Sequence, residues 1–295
     1  MSAPVNGGLL VGVDGSASSK GAVAWAARDA AMRAAPLTLV HVLAPPEVMT
    51  FPETPMPPGY MEWQEERGKR IIQDALTIVE QSTGAAGPPQ VGSETVIGST
   101  VPMLVDLAKE AVMLVVGSRG HGWLHRSLMG SVSSNLVRHA HCPVAVIHDA
   151  GPSIPHPSGA PVVVGVDGSP TSDATAAVAF EEAAFRGVEL VAVYAWHDTH
   201  IFDVPGIDIS AMQNDGERLL AEQLAGWQER YPDVKVRRVV VCDQPADQLI
   251  EQSHAAQLVV VGSHGRGGFA GMLLGSVSMA VVQSARIPVI VARRS

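Results

Sequence analysis

The chain has 295 residues, about the length of two ordinary domains, with 46% hydrophobic and 17% charged residues, enough to bury a core in each half. Aromatics make up only 4%, so those cores fall to Val, Ala, Leu and Ile, a diet suited to buried parallel strands under closely packed helices. A formal charge of −9 without any Lys/Arg tract excludes a large nucleic-acid surface and sets the chain against an anionic membrane.

Taken in order, the first half predicts strands at Leu9–Val13, Leu37–Leu43, Val91–Val96, Met113–Val116 and Val144–Ile147. Helices are predicted between them at Ser18–Ala34, Tyr60–Gln81, Val101–Glu110 and Ser131–His139. Prolines at 45, 46, 52, 55, 57 and 58 exclude regular structure from Pro45 to Gly59. The Pro/Gly/Ser-rich stretch Gly151 to Pro161 reads as a linker. Beyond it, strands are predicted at Val162–Val166, Leu190–Ala195, Val236–Val241, Leu258–Val261 and Val289–Val291, again with helices between. Strands alternating with helices predict an α/β fold with two tandem doubly wound parallel sheets, Rossmann-like in winding. No apolar run reaches membrane-spanning length, no signal peptide is visible, and two cysteines cannot build a disulfide framework. A soluble protein of a reducing, cytoplasmic compartment is expected.

The two halves are copies of one another. Val11-Gly-Val-Asp-Gly-Ser16 recurs as Val164-Gly-Val-Asp-Gly-Ser169, and Val115-Val-Gly-Ser-Arg-Gly-His-Gly122 recurs as Val260-Val-Gly-Ser-His-Gly-Arg-Gly267. Leu128-Met-Gly-Ser-Val-Ser133 matches Leu273-Leu-Gly-Ser-Val-Ser278, and Cys142-Pro-Val-Ala-Val matches Ile287-Pro-Val-Ile-Val. Four blocks in one order mean duplication. The offset is 153 at the first block and 145 at the others, and the surplus falls in the Pro-rich stretch, whose counterpart is His197 to Asn214. The expected domains are residues 1–150 and 162–295, joined by 151–161.

In an open α/β sheet, ligands bind beyond the carboxyl ends of the strands where the strand order reverses. Every repeated block falls at such an end. Asp14 and Asp167 close the first strand of each copy, within the blocks that also hold Gly12 and Gly165. Gly117 and Gly262 close the fourth and open a glycine-rich loop. Glycine allows positive φ and lets a ligand approach bare backbone. Gly130-Ser131 and Gly275-Ser276 sit where a helix begins, with unpaired amides and the positive end of the dipole, worth about 0.3–2 kcal/mol to an anion. The hydroxyls of Ser131, Ser133, Ser276 and Ser278 are expected to add donors. The loop is not a Walker A motif, lacking Gly-Lys-Ser/Thr, nor the dinucleotide fingerprint, which follows the first strand.

At these residues the chain resembles the universal stress protein family, in particular its tandem-domain mycobacterial members. The family's ATP-binding pattern, Gly, two residues, Gly, nine residues, Gly-Ser/Thr, is met by Gly117, Gly120, Gly130-Ser131 and by Gly262, Gly265, Gly275-Ser276. The resemblance implies a five-stranded parallel sheet in each half with ATP in the crevice. By position it places Asp14 and Asp167 near ribose or a phosphate-bound Mg²⁺, and adenine against the backbone at His41–Val42 and Tyr194–Ala195. It assigns ribose and phosphates to Gly117, Ser118, Arg119, Gly120, His121, Gly122, Gly130, Ser131, Val132 and Ser133. In the second half the same role falls to Gly262, Ser263, His264, Gly265, Arg266, Gly267, Gly275, Ser276, Val277 and Ser278. It also implies a role in stress or growth control, and pairing through the last strands, either of the two halves or of two chains as a homodimer. No residue names a protein partner.

Other residues invite attention. His139, His141 and Cys142 are closely spaced, but the second copy has Ser284, Arg286 and Ile287 there, against a shared metal site. Arg119 and Arg266 either clamp phosphates or face water. Glu65-Glu66 and Glu181-Glu182 are expected on solvated helix faces, and Trp63 and Trp227 between helix and sheet. Three functions compete: a nucleotide-liganded regulator; a slow ATPase or nucleotidyl transferase, for which no dedicated general base is visible beyond Asp14, Asp167 and the loop histidines His121, His125 and His264; or a scaffold with vestigial sites.

Overall fold

Runs such as Leu114-Val-Val116 and Val259-Val-Val261 are apolar at every position, so they become strands only where both faces of a sheet are covered. The computed structural model describes residues 7–44, 58–84, 87, 89–120, 129–148, 159–169, 171–196, 209–265 and 274–293. The chain divides into two compact units, Met1–Asp149 and Ala150–Ser295. In the first unit the order is β1 (Leu9–Gly12), α1 (Ala17–Met32), β2 (Leu37–Leu43), α2 (Tyr60–Ser82), β3 (Val91–Ile97), α3 (Thr100–Leu107), β4 (Met113–Gly117), α4 (Ser131–His139) and β5 (Val144–Ile147). The second repeats it: β6 (Val162–Gly165), α5 (Thr171–Arg186), β7 (Leu190–Trp196), α6 (Ile209–Arg230), β8 (Val236–Cys242), α7 (Pro245–Ser253), β9 (Leu258–Gly262), α8 (Ser276–Ser284) and β10 (Val289–Ala292).

Within the first unit the strands lie in the order β3-β2-β1-β4-β5, all neighbours parallel; within the second the order is β8-β7-β6-β9-β10, again parallel throughout. The central strands are buried along their length: Val11, Leu114, Val115, Val144, Val164, Leu258 and Val260 are fully covered. The predicted α/β class and parallel winding are observed.

Element ends differ from expectation for local reasons. β1 and β6 stop at Gly12 and Gly165, because Gly15 (φ +86°) and Gly168 (φ +77°) then turn the chain into the following helix. α1 ends at Met32 rather than Ala34, since Ala34 adopts φ +49°, a left-handed conformation that cannot continue the helix. The predicted helix 101–110 splits into α3 and a tight 3₁₀ turn at Ala108–Glu110. α6 starts at Ile209, inside the counterpart of the Pro-rich stretch, because no proline follows Pro205 there. Residues 45–57 and 197–208, and 151–158 of the expected linker, lie outside the described residues.

Three side chains correct the sequence reading. Glu182 is not solvated: it is wholly buried in α5 and hydrogen-bonded by the guanidinium of Arg186, one helical turn on. Its counterpart is Asp29, also buried in α1, which accepts a 2.8 Å hydrogen bond from Nε of Arg33. An i,i+4 carboxylate–guanidinium pair is an unremarkable surface pattern, so nothing in the sequence marked these as interior; a close-packed Ala-rich helix face put them there. Trp63 is 52% exposed on α2 and lies under the Arg67 guanidinium instead of packing on the sheet. Trp227 joins α6 to α5, its indole Nε1 donating to Asp173 Oδ1 at 2.9 Å.

A buried ion pair is costly to break from one side, because the survivor keeps its desolvation penalty. Asp29→Ala is therefore expected to lower unfolding free energy by about 3–5 kcal/mol in urea denaturation. A loss under about 1 kcal/mol would show that Arg33 reaches solvent at no cost.

Candidate functional site

The chain runs from β1 outward through β2 to β3, then returns to place β4 on the other side of β1. The connections around β1 and β4 therefore diverge, and their carboxyl ends border a crevice. Each unit has one there, a cavity of about 530 Å³ in the first and about 470 Å³ in the second, both of a size for a small organic ligand.

The acidic residue after β1 is held by its own loop. Asp14 Oδ1 accepts the Ser16 amide at 2.9 Å, closing an Asx turn across Gly15, and the Asp14 amide donates to Ser19 Oγ at 3.1 Å. The second unit repeats both bonds, Ser169 amide to Asp167 Oδ1 at 2.9 Å and Asp167 amide to Ser172 Oγ at 3.1 Å, and adds Ser172 Oγ donating to Asp167 Oδ1 at 2.6 Å. One carboxylate oxygen is thus spent on the turn. The other faces the loop after β4: a Cβ on Gly120 would sit 2.8 Å from Asp14 Oδ2, and one on Gly265 only 2.4 Å from Asp167 Oδ2.

That contact gives the loop glycines a different purpose from the expected one. None of Gly117, Gly120, Gly130, Gly262, Gly265 or Gly275 has positive φ; at Gly117, Gly120, Gly262 and Gly265 protein atoms leave no room for a Cβ. A Cβ on Gly117 would lie 2.7 Å from Ser18 Oγ, and one on Gly262 would lie 2.9 Å from Thr175 Oγ1. The loop is then tied to the start of the first helix. Ser18 Oγ donates to the Arg119 carbonyl, and Thr171 Oγ1 does the same to the His264 carbonyl at 2.8 Å. These hydroxyls were not among the sequence candidates, though Ser18-Ser19 and Thr171-Ser172 recur at the offset of the Asp-Gly-Ser block.

The far wall is the start of α4 or α8. Here the cap residue decides the chemistry. Ser16 caps α1 by accepting the Ser19 amide on its hydroxyl at 3.2 Å. At α4 and α8 the N-cap is Gly130 or Gly275, with no side-chain cap. The amides of Ser131, Val132 and Ser133, and of Ser276, Val277 and Ser278, belong to the first helical turn, have no intrahelical acceptor, and line the cavities. An anion there also meets the positive helix end.

Several predicted ligand residues stand elsewhere. Ser133 and Ser278 line the cavity but their hydroxyls are not spare donors: Ser133 Oγ donates to the Ser118 carbonyl at 2.9 Å, and Ser278 Oγ donates to the Gly262 carbonyl. Ser118 and Ser263 are buried and do not line the cavities; their backbone amides donate to Ile147 and Ala292, and their carbonyls accept the Gly130 and Gly275 amides at 2.7 and 2.8 Å. They shape the loop. Gly12, Asp14, Val42, Gly117, Arg119, Gly120, Gly130, Ser131 and Val132 are brought together in the first cavity. Gly165, Asp167, Ala195, Gly262, His264, Gly265, Gly275, Ser276 and Val277 are brought together in the second. His121, Gly122, Arg266 and Gly267 lie outside the described residues. Opposite the amides, the cavities are apolar, with Val40, Leu104 and Val116 in the first, and Val193, Leu249 and Val261 in the second. Among the described residues no three His, Cys, Asp or Glu side chains form a metal cluster, and no helix is long and apolar enough to cross a membrane.

Each unit matches a protein-family model, that of the Universal stress protein family, over residues 8–148 and 160–293. A universal stress protein of Mycobacterium tuberculosis strain H37Rv is 57% identical over 288 residues, 98% of this chain and 97% of that one. One from Mycobacterium bovis is 56% identical with the same coverage. Among solved structures, the crystal structure of a universal stress protein from Archaeoglobus fulgidus superposes with a TM-score of 0.70 at 20% identity, covering 98% of this chain and 96% of that one.

Proposed function

This chain belongs to the universal stress protein family, with the domain present twice, and on that premise we propose that it is a nucleotide-liganded regulator with one ATP site per unit. The observation that carries the reading is the unfilled cap: a helix start with glycine at the N-cap, facing a cavity of nucleotide size, in both units. Three amides and a helix dipole suit the phosphates, and the apolar wall across the cavity suits a base. The net charge of −9 is no obstacle, since backbone amides bind phosphate without cationic side chains.

Asp14 and Asp167 fit a Mg²⁺ carried in on the phosphates. Each has one oxygen fixed by its turn and the other directed at the loop, and Mg²⁺ is commonly held by one or two carboxylates together with substrate phosphates. Bound there, the ion would offset phosphate charge beside the carboxylate.

Binding is favoured over turnover by the same geometry. Hydrolysis needs a group that positions water at the terminal phosphate. Among the described residues, the carboxylates that line the cavities are Asp14 and Asp167, and one oxygen of each is held in an Asx turn. The ligand then acts through the conformation it stabilises or the partner surface it orders, in stress or growth control. The test is direct. Purified protein, heat-denatured, is expected to release adenine nucleotide approaching two equivalents per chain, or to take up that amount of ATP by calorimetry once stripped. No released nucleotide and no heat of ATP binding would end the proposal.

A further inference from the structure

On one side the sheets of the two units end in matching strands, β3 and β8, each bonded to a single neighbour, β2 or β7. An edge strand offers a row of unpaired amides and carbonyls, and proteins commonly guard it with charged side chains. β8 is guarded. Arg237 and Arg238 are both exposed, and Arg237 Nε donates to Glu189 Oε2 at 3.3 Å. The positions equivalent to them in β3 are Gly92 and Ser93. The seven residues of β3, Val-Gly-Ser-Glu-Thr-Val-Ile, hold no lysine, arginine or proline, and Ile97 is 58% exposed.

The register fixes which backbone groups face outward. The Leu37 amide donates to the Gln90 carbonyl at 2.8 Å, and the Gly98 amide to the Leu43 carbonyl at 3.0 Å. Bonding direction alternates along a strand, so Gly92, Glu94 and Val96 bond to β2, while Val91, Ser93, Thr95 and Ile97 turn their amides and carbonyls away from it. None of these four is hydrogen-bonded on its outer side among the described residues. At the centre of the strand Glu94 stands opposite Val40, on the sheet face shared by Val42 and Val96; β8 has Val239 there. Glu94 Oε2 is shielded from solvent and has no hydrogen-bond partner among the described residues. A shielded carboxylate oxygen without a partner is costly, and a cationic donor brought alongside removes that cost.

We propose that the outer edge of β3 is a docking site for an extended segment of a protein partner, which adds a further strand to the first unit's sheet and sets a lysine or arginine against Glu94. Bonds to the backbone of Val91, Ser93, Thr95 and Ile97 supply the grip. Glu94 supplies register and selects charge. A second copy of this chain does not fit: self-pairing along all seven residues is antiparallel about a twofold axis, and it sets Glu94 against its own copy. The second unit, with arginines along its edge and valine in place of the glutamate, has no such site. The surface is independent of whether either cavity takes a nucleotide.

Two synthetic peptides titrated against the full chain test this: acetyl-Thr-Val-Thr-Lys-Thr-Val-Thr-amide and its twin with glutamate in place of lysine. The lysine peptide should bind about tenfold more tightly, the combined scale of one favourable and one unfavourable cross-strand charge pair. On its binding, hydrogen exchange should slow at the amides of Val91, Ser93, Thr95 and Ile97 and stay unchanged in β8. Glu94→Gln should erase the difference between the peptides. Thr95→Pro, which removes an outward amide and leaves the bonds to β2 in place, should abolish binding of both. Equal binding of the two peptides by the wild type, no slowing of exchange in β3, or full binding by Thr95→Pro overturns the proposal. So does the absence of binding at millimolar peptide. A concentration-dependent dimer that protects the same amides would make a second copy the occupant and equally overturn it.

Discussion

Gly265→Val is expected to abolish nucleotide binding in the second unit and leave the first at full affinity. A Cβ at this position would stand 2.4 Å from Asp167 Oδ2, well inside any real contact, and valine adds two methyl groups beyond it. Neither side can give way cheaply. Asp167 is held by the Ser169 amide and the Ser172 hydroxyl, and the loop is held through the His264 carbonyl by Thr171. The substitution must therefore swing the carboxylate out of its Asx turn or lift the loop off the cavity. Either displaces groups proposed to meet the phosphates, and a loss of at least a hundredfold, about 2.7 kcal/mol, is the expected scale. The readout is stoichiometry: two ATP per chain in the wild type, one in the variant. Two sites in the variant would mean the loop does not form the phosphate site. The contact is looser in the first unit, 2.8 Å from Gly120 to Asp14 Oδ2, so the second position is the sharper test.

The second large effect is thermal. A ligand that binds only the folded state stabilises it by RT ln(1 + [L]/Kd), about 2.7 kcal/mol at a hundredfold excess over Kd. For units of this size that corresponds to a rise in Tm of roughly 5–10 °C. ATP with Mg²⁺ should produce it in wild-type protein. In Gly265→Val the rise should be confined to the part of the transition belonging to the first unit. No shift at millimolar ATP would mean that neither cavity takes the nucleotide with useful affinity.

Much of this architecture was legible because parallel strands buried on both faces leave an unbroken apolar mark. Leu37–Leu43 and Val144–Ile147 begin and end where their composition says. Repetition did the rest, since no single glycine loop would have singled out Gly117 to Gly120. What stayed hidden depended on neighbours distant in the chain. Glu182 reads as a surface residue because its burial depends on how α5 packs, which i,i+4 spacing does not reveal. Trp63 reads as core because size usually means burial, yet α2 presents it outward beneath Arg67. The glycines were identified, but the positive φ expected of them belongs to Gly15 and Gly168, while Gly117, Gly120, Gly262 and Gly265 answer to steric pressure from Ser18, Asp14, Thr175 and Asp167. Such pressure exists only in three dimensions. Ser118 and Ser263 were placed in the site by the family resemblance, and only the register of β4 with β5 and of β9 with β10 shows their amides already engaged.

The Asx turn of each cavity, and its Ser18 or Thr171 tether, are drawn from the unit that contains it. On the proposed reading, such a chain would stand empty, half-charged in either of two ways, or full. With unequal dissociation constants, its occupancy would respond to ligand over a wider span of concentration than that of a lone domain.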